Sequence, residues 1–541
     1  MKKNITGKPA AFTLLILRAI LGVSLTFGMA LVSCDNSPES NDGRLSYDEA
    51  VKKVIFSGNT AAVDFENLYH NDIYLVKVNT SDLIVDAANT GGVVGALGTS
   101  ASGVGSGLPA AEGRAAMYHR DYKAAQEFNA NPPPFNRERG KGARAAADIV
   151  SYEIGDKKNF WVEIFLDSDY WVYRPATLMA SGMHGNFWVM DENTPSGTGE
   201  FKISETTLQD LAGIFDLIYP LETNLFGYEY GGGPDGDGGV DGDKKIQILI
   251  YNIVEKDGDG SVMGYFSSKD LYTQDELDSK KVKTNQAEIF YINARWVVNS
   301  PEYIYSTMIH EFQHMIHFSR KVIEHEVNSD TWYNEMLSMA AEDVIAPLIG
   351  RDYSSDASVF RKRIPYFLAS YNESGLEVWD GSMAAYGMAY AFGSYLVRNY
   401  GGPELLKRLI DNDKTGVDSV TMALKEISGD LDFEQAFNRF GEAVIFSGPS
   451  MPQGVLTFDK TITSSINKQQ YTAYKFDIWQ APRYHDDEKT GPLVLNLSEN
   501  SMKPHSINIR SDDEWKDVTG NFSITLFKPS DENVVLYLMV R

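Results

Sequence analysis

The sequence predicts an α+β protein in which a mixed β-sheet subdomain is followed by a mainly helical subdomain and an all-β C-terminal module. Aromatic and β-branched residues dominate the segments of residues 147–299, which is typical of strands. Residues 300–450 show a mostly helical pattern, which opens on a serine and a proline suited to a helix start. Short alternating segments return over residues 453–541 and indicate a β-sandwich-like module.

The composition narrows the functional classes. The chain has 541 residues, with 49 Lys and Arg against 74 Asp and Glu, and a net charge of −25. Nucleic acid is therefore excluded as a partner, because phosphate binding needs concentrated basic residues. The hydrophobic share of 43% indicates a globular chain, and its length suits two to four domains. A single cysteine excludes an intramolecular disulfide and a cysteine-rich metal site.

That cysteine ends a segment with the pattern of a lipoprotein signal peptide. Basic residues precede an apolar stretch over residues 19–32, and the sequence LVSC that ends at Cys34 resembles the bacterial lipobox. The stretch is too short to span a bilayer core of about 30 Å. We therefore expect removal of residues 1–33, acylation of Cys34 and a lipid-anchored protein in the cell envelope, outside the cytoplasm. An ordinary signal peptide with a chance cysteine is the alternative.

Residues 34–146 are predicted to form a tether and an N-terminal region. Within them, residues 88–113 are rich in Gly, Ala and Ser and indicate a flexible linker or long loop. Residues 129–145 combine three prolines with several basic residues, a composition typical of an exposed, protease-sensitive stretch. A propeptide boundary is one interpretation of this stretch, and an ordinary loop is the other.

The strongest chemical signal is the run His310-Glu311-Phe312-Gln313-His314. Histidines at positions i and i+4 of a helix face the same way, so both imidazoles can bind one ion. Glu311 lies about 100° round the helix and can act on a water molecule without being a ligand. With the histidine content of this chain, roughly 0.01 such matches are expected by chance. The run therefore predicts a zinc site with Glu311 as the general base.

A catalytic zinc site needs a third protein ligand and one open position. The metzincin arrangement is excluded, because Arg320 stands where that arrangement requires a histidine. In the gluzincin arrangement the third ligand is a glutamate on a second helix, and Glu335 follows His314 by 21 residues within Asn-Glu-x-x-Ser. Glu335 is the predicted ligand. Glu342, one heptad later, is an alternative ligand, an acceptor that orients a histidine, or a solvated acid.

Several segments resemble the hyicolysin family of neutral zinc metallopeptidases, which belongs to the gluzincins. HEFQHMIHF together with WYNE is the most specific of them, and the DGDG loop and GYF support it. The resemblance covers roughly residues 158–400 and implies a secreted or surface bacterial endopeptidase. Met339 stands where thermolysin-like enzymes carry an aspartate, so that pattern is incomplete.

Similarity to gluzincins that use a tyrosine implies that Tyr386 donates a hydrogen bond to the oxyanion. Tyr390 is the other candidate, and both tyrosines could instead pack within an amphipathic helix. His317 is predicted to be a core or supporting residue, with a catalytic donor as the alternative. In gluzincins an edge strand binds the substrate backbone by β-addition, and we assign that role to the segment 287–298 or a neighbouring strand.

A loop rich in glycine and aspartate concentrates Asp235, Asp237, Asp241 and Asp243 within nine residues. Carboxylate oxygens on such a loop suit Ca²⁺, although the spacing departs from the EF-hand. The loop is therefore a calcium candidate, and a solvated acidic turn is the alternative.

Together these features predict a membrane-anchored, extracytoplasmic zinc-dependent endopeptidase. It would hydrolyse peptide bonds of protein or peptide substrates with a zinc-activated water and Glu311 as the general base. The alternative is a surface binding lipoprotein, such as an adhesin, on a catalytically silent peptidase fold. The presence of Glu311 between both histidines favours the enzyme.

Overall fold

The structure is a computed structural model, and it combines several β-sheets with a large block of helices. The structure describes residues 45–85, 93–94, 122–136, 150–163, 165–166, 171–255, 262–278, 282–351, 357–449, 451–484, 486–495 and 501–541. Cys34, the residues before it and most of the predicted linker lie outside the described residues. In the described part, no helix has both the length and the apolar character needed to cross a membrane. The mixture of helices and strands confirms the α+β class.

The strands fall mainly before residue 300 and after residue 460. They are β1 (Val51–Lys53), β2 (Thr60–Asn71), β3 (Ile73–Asn79), β4 (Val93–Val94), β5 (Lys157–Glu163), β6 (Phe165–Leu166), β7 (Trp171–Ser181), β8 (Gly185–Met190), β9 (Ile246–Tyr251), β10 (Val254–Glu255), β11 (Gly264–Phe266), β12 (Ile289–Asn293), β13 (Ile462–Ile466), β14 (Gln469–Ala473), β15 (Pro482–Arg483), β16 (Asp486–Thr490), β17 (Ser506–Arg510), β18 (Val518–Phe527) and β19 (Val534–Val540).

The helices concentrate between residues 294 and 445. They are α1 (Tyr47–Ala50), α2 (Lys123–Ala130), α3 (Glu205–Phe226), α4 (Gln274–Leu277), α5 (Ala294–Asn299), α6 (Pro301–His317), α7 (Thr331–Ile345), α8 (Val359–Ser370), α9 (Met383–Asn399), α10 (Glu404–Asp411), α11 (Gly416–Ile427), α12 (Phe433–Asn438) and α13 (Phe440–Ile445).

The central sheet has the strand order β11-β12-β9-β8-β7-β5. Strands β8, β9 and β12 run parallel and are buried along their whole length, which explains their largely apolar sequences. Because successive side chains of a strand point to opposite faces, the sheet serves two cores. Phe290 contacts Phe215 of α3 on one face, whereas Leu249 and Tyr291 join Trp188 on the other.

The segment 287–298 forms a strand only as far as Asn293. There the Asn293 side chain accepts a hydrogen bond from the backbone N–H of Arg295, so it caps α5 and turns the chain into a helix. The short α5 leads into α6, which begins at Pro301 with Ser300 as its N-cap residue, as the sequence predicts. The sheet therefore delivers the chain directly to the helix that carries both histidines.

Strands from the two ends of the chain share their sheets. One sheet has the order β1-β19-β3-β17, and a second has the order β2-β18-β4. β3 is buried throughout and lies between β19 and β17, antiparallel to both. The predicted boundaries place residues 34–146 and 453–541 in separate regions, but strand pairing joins them. Local patterns identify such strands without identifying their partners, because the partners lie more than 400 residues away.

The helical block packs in layers around α6 and α7. α6 contacts α3 and α7, and α7 contacts α9. A buried ion pair links the last two, with Arg398 Nη1 of α9 lying 2.7 Å from Asp343 Oδ2 of α7. The same guanidinium donates to the backbone oxygen of Tyr474 just after β14, so its charge and its donors are satisfied. These contacts fix the helices that surround the two histidines.

Candidate metal centre

Two adjacent helices bring three ligand atoms together. His310 and His314 lie on α6 and Glu335 lies on α7, and one ligand atom from each lies within 4.8 Å of the others. Nε2 of His310 is 3.1 Å from one oxygen of Glu335, and Nε2 of His314 is 3.5 Å from the other. All three side chains are buried. No other group of three His, Cys, Asp or Glu residues meets this distance in the described part of the chain.

In both histidines, Nδ1 faces away from Glu335 and has a hydrogen-bond partner. Nδ1 of His310 lies 2.9 Å from Glu342 Oε1. Nδ1 of His314 lies 2.9 Å from Ser338 Oγ and 3.1 Å from Asn334 Oδ1. When each Nδ1–H donates to these oxygens, the lone pair of each imidazole is left on Nε2, where a metal can bind it. Glu342 thus contacts a histidine and lies outside the group of three.

A buried lysine sits behind Glu342. Lys362 Nζ of α8 is 2.6 Å from Glu342 Oε2 and donates to Ser306 Oγ of α6 at 3.0 Å. Burial alone would raise the pKa of Glu342, but the charge of Lys362 and the hydrogen bond with His310 outweigh it and hold that pKa well below its ordinary value. The carboxylate therefore stays ionised and keeps His310 in the orientation that exposes Nε2.

The donor set fits a zinc ion. Two neutral imidazole nitrogens and one carboxylate are ligands that zinc takes in catalytic sites, where a fourth position stays open. Magnesium and calcium prefer all-oxygen sites, so this set does not suit them. The residues predicted from the His-Glu-x-x-His run and from Asn-Glu-x-x-Ser are thus the ones that the structure brings together.

Glu311 and Tyr386 also lie at this centre. Glu311 follows His310 on α6 and is fully buried. The Tyr386 hydroxyl on α9 is 2.8 Å from Gln126 Nε2, and the same nitrogen is 2.6 Å from Glu335 Oε1. The hydroxyl of Tyr390 instead lies 3.4 Å from Asp343, within the ion pair that joins α7 and α9. The two tyrosines of α9 therefore face different groups, and Tyr386 is the one beside Glu335.

His317 is a buried neighbour of the centre. Its ring contacts that of Tyr333 edge to face at a centroid distance of 5.8 Å, and neither ring nitrogen has a hydrogen-bond partner in the described part. Burial, reinforced by the positive charge of nearby Lys321, lowers the pKa of His317 well below its ordinary value. A neutral imidazole packed against an aromatic ring behaves as a core residue.

Sequence reasoning missed Glu222, Lys362 and Gln126. Glu222 of α3 is fully buried, and neither of its oxygens has a hydrogen-bond partner among the described residues. Burial raises its pKa well above the ordinary value, and the nearby carboxylate of Glu342 adds to the rise, which only a proton on His310 would oppose. No sequence signal separates these residues from their polar neighbours, because α3 carries other acids, Lys362 stands between two arginines and Gln126 precedes another polar residue.

Some carboxylates of the glycine- and aspartate-rich loop accept hydrogen bonds from the backbone of the same loop. Asp235 and Asp237 are exposed, and Asp237 accepts a hydrogen bond from the Gly239 N–H. The side chain of buried Asp243 accepts from Asn186 at 2.8 Å and from a second amide. These four aspartates do not form a group within ligand distance, as judged over the described ranges. Calcium binding by this loop stays a prediction.

Two glutamates that the calcium prediction did not include lie under the loop. Both carboxylate oxygens of Glu288 accept from the Val240 N–H, at 2.8 and 3.0 Å, and Tyr219 donates to Glu229 at 2.8 Å. A Cβ at Gly239 would lie 2.1 Å from a Glu288 oxygen, so only glycine allows this close approach. The glycines of the loop thus permit the backbone to cover buried carboxylates.

Comparison with known proteins agrees with this geometry. Residues 173–464, more than half of the chain, match the peptidase M30 family. Over 253 residues the chain is 26% identical to the neutral metalloprotease ShpI of Staphylococcus hyicus, which covers 44% of this chain and 50% of that protein. The chain thus spans about half the length of this curated relative.

The match includes α6, α7 and α9, the helices that carry His310, Glu335 and Tyr386. The resemblance stated from the sequence motifs is therefore confirmed at the level of the family. The chain belongs to the peptidase M30 family.

Proposed function

We propose that this chain is a zinc-dependent endopeptidase that hydrolyses protein or peptide substrates. One observation carries the proposal: Nε2 of His310, Nε2 of His314 and the Glu335 carboxylate face one another, while each Nδ1 has its own acceptor. A histidine pair with a structural role needs neither an adjacent buried glutamate nor a tyrosine hydroxyl beside the third ligand. Membership of a peptidase family supports the same conclusion.

His310, His314 and Glu335 would hold the metal. When bound, zinc supplies Lewis acidity, which polarises the scissile carbonyl and makes water acidic enough to ionise near neutral pH. Glu311 accepts a proton from the attacking water at its carboxylate and delivers a proton to the leaving amine. Its burial beside His310 keeps it close to the reacting atoms and shields it from bulk water.

Tyr386 stabilises the negative charge that develops on the carbonyl oxygen. Its hydroxyl lies next to the Glu335 carboxylate through their shared contact with Gln126. The ring is held by Trp379 at a centroid distance of 4.7 Å and by the Arg363 guanidinium at 4.4 Å. A hydrogen-bond donor that is already held in place needs little free energy to reorganise during the reaction, which is why such donors contribute strongly to catalysis.

The proposal includes attachment of the protein to a membrane outside the cytoplasm through a lipid on Cys34. It rests on the sequence LVSC at the end of the apolar stretch over residues 19–32. In a bacterial host grown with labelled palmitate, we expect the label in the chain and in the membrane fraction. Cys34→Ser should lose both. If the Cys34→Ser variant stays labelled and membrane-bound, the proposed lipid anchor on Cys34 is contradicted.

Glu311→Gln removes the proposed general base while it keeps the size of the side chain. We expect casein hydrolysis by the zinc-loaded protein to fall by roughly 10²–10⁴-fold, because proton transfer contributes about that much. Zinc content, measured by mass spectrometry, should not change. Glu302→Gln in the first turn of the same helix serves as the matched control. Equal hydrolysis by the parent and by Glu311→Gln would reject the enzyme in favour of a silent binding protein.

Tyr386→Phe and Tyr390→Phe form a matched pair on one helix. Loss of an oxyanion donor typically lowers kcat by roughly 10²–10³-fold, and we expect that loss for Tyr386→Phe alone. Tyr390→Phe should keep a kcat near the parent value, since its hydroxyl faces Asp343. A greater loss in Tyr390→Phe than in Tyr386→Phe would reverse the assignment.

Glu342→Gln tests the support of His310 without touching a ligand. The neutral amide leaves Lys362 without its buried counter-charge and weakens the acceptor at Nδ1. Zinc affinity, measured by competition with a chromogenic chelator, should fall roughly 10–100-fold, as for other residues that support metal ligands. The exposed Glu426→Gln is the control. Unchanged affinity in Glu342→Gln would show that this contact does not govern metal binding.

A further inference from the structure

The short helix α2 reaches into the metal centre. Gln126, 8% exposed, donates from one nitrogen to Glu335 at 2.6 Å and to the Tyr386 hydroxyl at 2.8 Å. Trp379 Nε1 lies 3.4 Å from the carbonyl oxygen of the same side chain. A carboxamide carries the same donor and acceptor as a peptide group. It therefore offers peptide-like hydrogen bonding at the place where the proposed mechanism puts the scissile bond.

A second carboxamide of α2 binds the edge of the central sheet. Asn129 Nδ2 donates to the backbone oxygen of Phe266 at 3.0 Å, and the Ser268 N–H donates to Asn129 Oδ1 at 2.7 Å. Phe266 ends β11, which is the edge strand of the six-stranded sheet. Backbone groups at a sheet edge are the ones to which an extended peptide adds. Asn129 thus occupies main-chain groups that a bound peptide would use.

Aromatic contacts hold both ends of this segment. Tyr122 packs edge to face on Tyr265 at 5.3 Å and donates to Glu163. Beyond the helix, Phe135 packs on Tyr272 at 5.4 Å. The same tyrosine donates from its hydroxyl to the backbone oxygen at position 133, with a length of 2.7 Å. The segment is therefore anchored at both ends, and Gln126 and Asn129 lie between the two anchors in the chain.

The cavity between α2 and the metal centre is too small for a substrate. A cavity of about 10 Å³ lies between α2 and α7, and Gln126, Asn129, His314 and Glu335 are among the residues that line it. That volume corresponds to about one water molecule. A peptide can approach Glu335 from this side only after α2 has moved away.

We propose that residues 122–136 are an internal competitor that occupies the peptide-binding groove of this chain, with Gln126 and Asn129 in the places of substrate peptide groups. The inference rests on the proposed peptidase function and adds to it a built-in inhibition. Only the fraction of molecules in which the segment has left the groove binds substrate, so apparent substrate affinity is reduced by that fraction.

Hydrolysis of fluorescein-labelled casein by the zinc-loaded full chain tests the competition. Gln126→Met keeps the side-chain volume and removes its hydrogen bonds, and Asn129→Ala removes the second carboxamide. In the double variant we expect the apparent KM to fall roughly tenfold, because the hydrogen bonds of the two carboxamides that hold the segment are lost. Glu127→Gln changes the exposed face of the same helix and should leave KM unchanged. An unchanged or higher KM in the double variant overturns the proposal.

A binding measurement separates this inference from the proposed function. The probe is a fluorescein-labelled synthetic peptide of residues 122–136, YKAAQEFNANPPPFN, followed by anisotropy with zinc-loaded full chains that carry Glu311→Gln. We expect it to bind the chain with Gln126→Met and Asn129→Ala roughly tenfold more tightly than the chain without them. Equal binding to both chains overturns the internal competitor. Tighter binding without hydrolysis by any form supports the competitor and rejects only the peptidase.

Discussion

The orientation of His310 depends on one buried chain of charged contacts across three helices. Its Nδ1 is within hydrogen-bond distance of Glu342 of α7, and Glu342 forms an ion pair with Lys362 of α8. Lys362 in turn donates a hydrogen bond to Ser306 of α6. Each link is 3.0 Å or shorter and out of contact with solvent. A buried charge without its partner is strongly destabilising, so the three helices are held in the one arrangement that pairs all of them. The same buried contacts thus determine both how α6, α7 and α8 pack and how the candidate metal ligand His310 is oriented.

The central sheet packs on both of its faces against elements that contribute to the candidate metal centre. On one face, α3 and α6 pack together through Phe215 and Phe312, whose ring centroids are 5.4 Å apart. On the other face, Tyr122, which immediately precedes α2, and Ala125 of α2 belong to the cluster around Trp188 and Tyr291. A single sheet therefore packs against α6, which carries two candidate metal ligands, and against α2, whose Gln126 contacts Glu335. This explains how a part of the chain far from α6 and α7 in sequence contacts the candidate metal centre.

The parts of this structure that follow from local geometry could be predicted from the sequence. Two histidines four residues apart share a helix face whatever surrounds them, and Glu335 was found because its spacing fits a second, adjacent helix. The strands around Trp188 were recognisable from their apolar and aromatic content, since both faces are buried. Tyr386 was favoured by similarity to gluzincins that use a tyrosine, and the structure shows its hydroxyl in contact with the same Gln126 nitrogen as Glu335.

The remaining features depend on contacts between residues that are distant in sequence. The pairing of β3 with β17 and β19 closes a loop of more than 400 residues, and strand composition does not specify the partner. Gln126 stands 209 positions before Glu335 in a stretch without any metal-site motif, so only the folded chain shows their contact. Calcium binding by the acidic loop stays a prediction. Asp237 and Asp243 accept hydrogen bonds from the backbone N–H groups of Gly239 and Lys245, as short polar side chains readily do in loops.

X-ray absorption at the zinc K-edge of the loaded full chain tests the central claim most directly. The account predicts a four-coordinate zinc with two imidazole nitrogens and oxygen ligands, all at about 2.0–2.2 Å. Substitution of Glu335 by alanine should remove an oxygen from the first shell and leave both imidazoles. A third imidazole, which would implicate His317, or a shell that does not change in Glu335→Ala would contradict a centre formed by His310, His314 and Glu335.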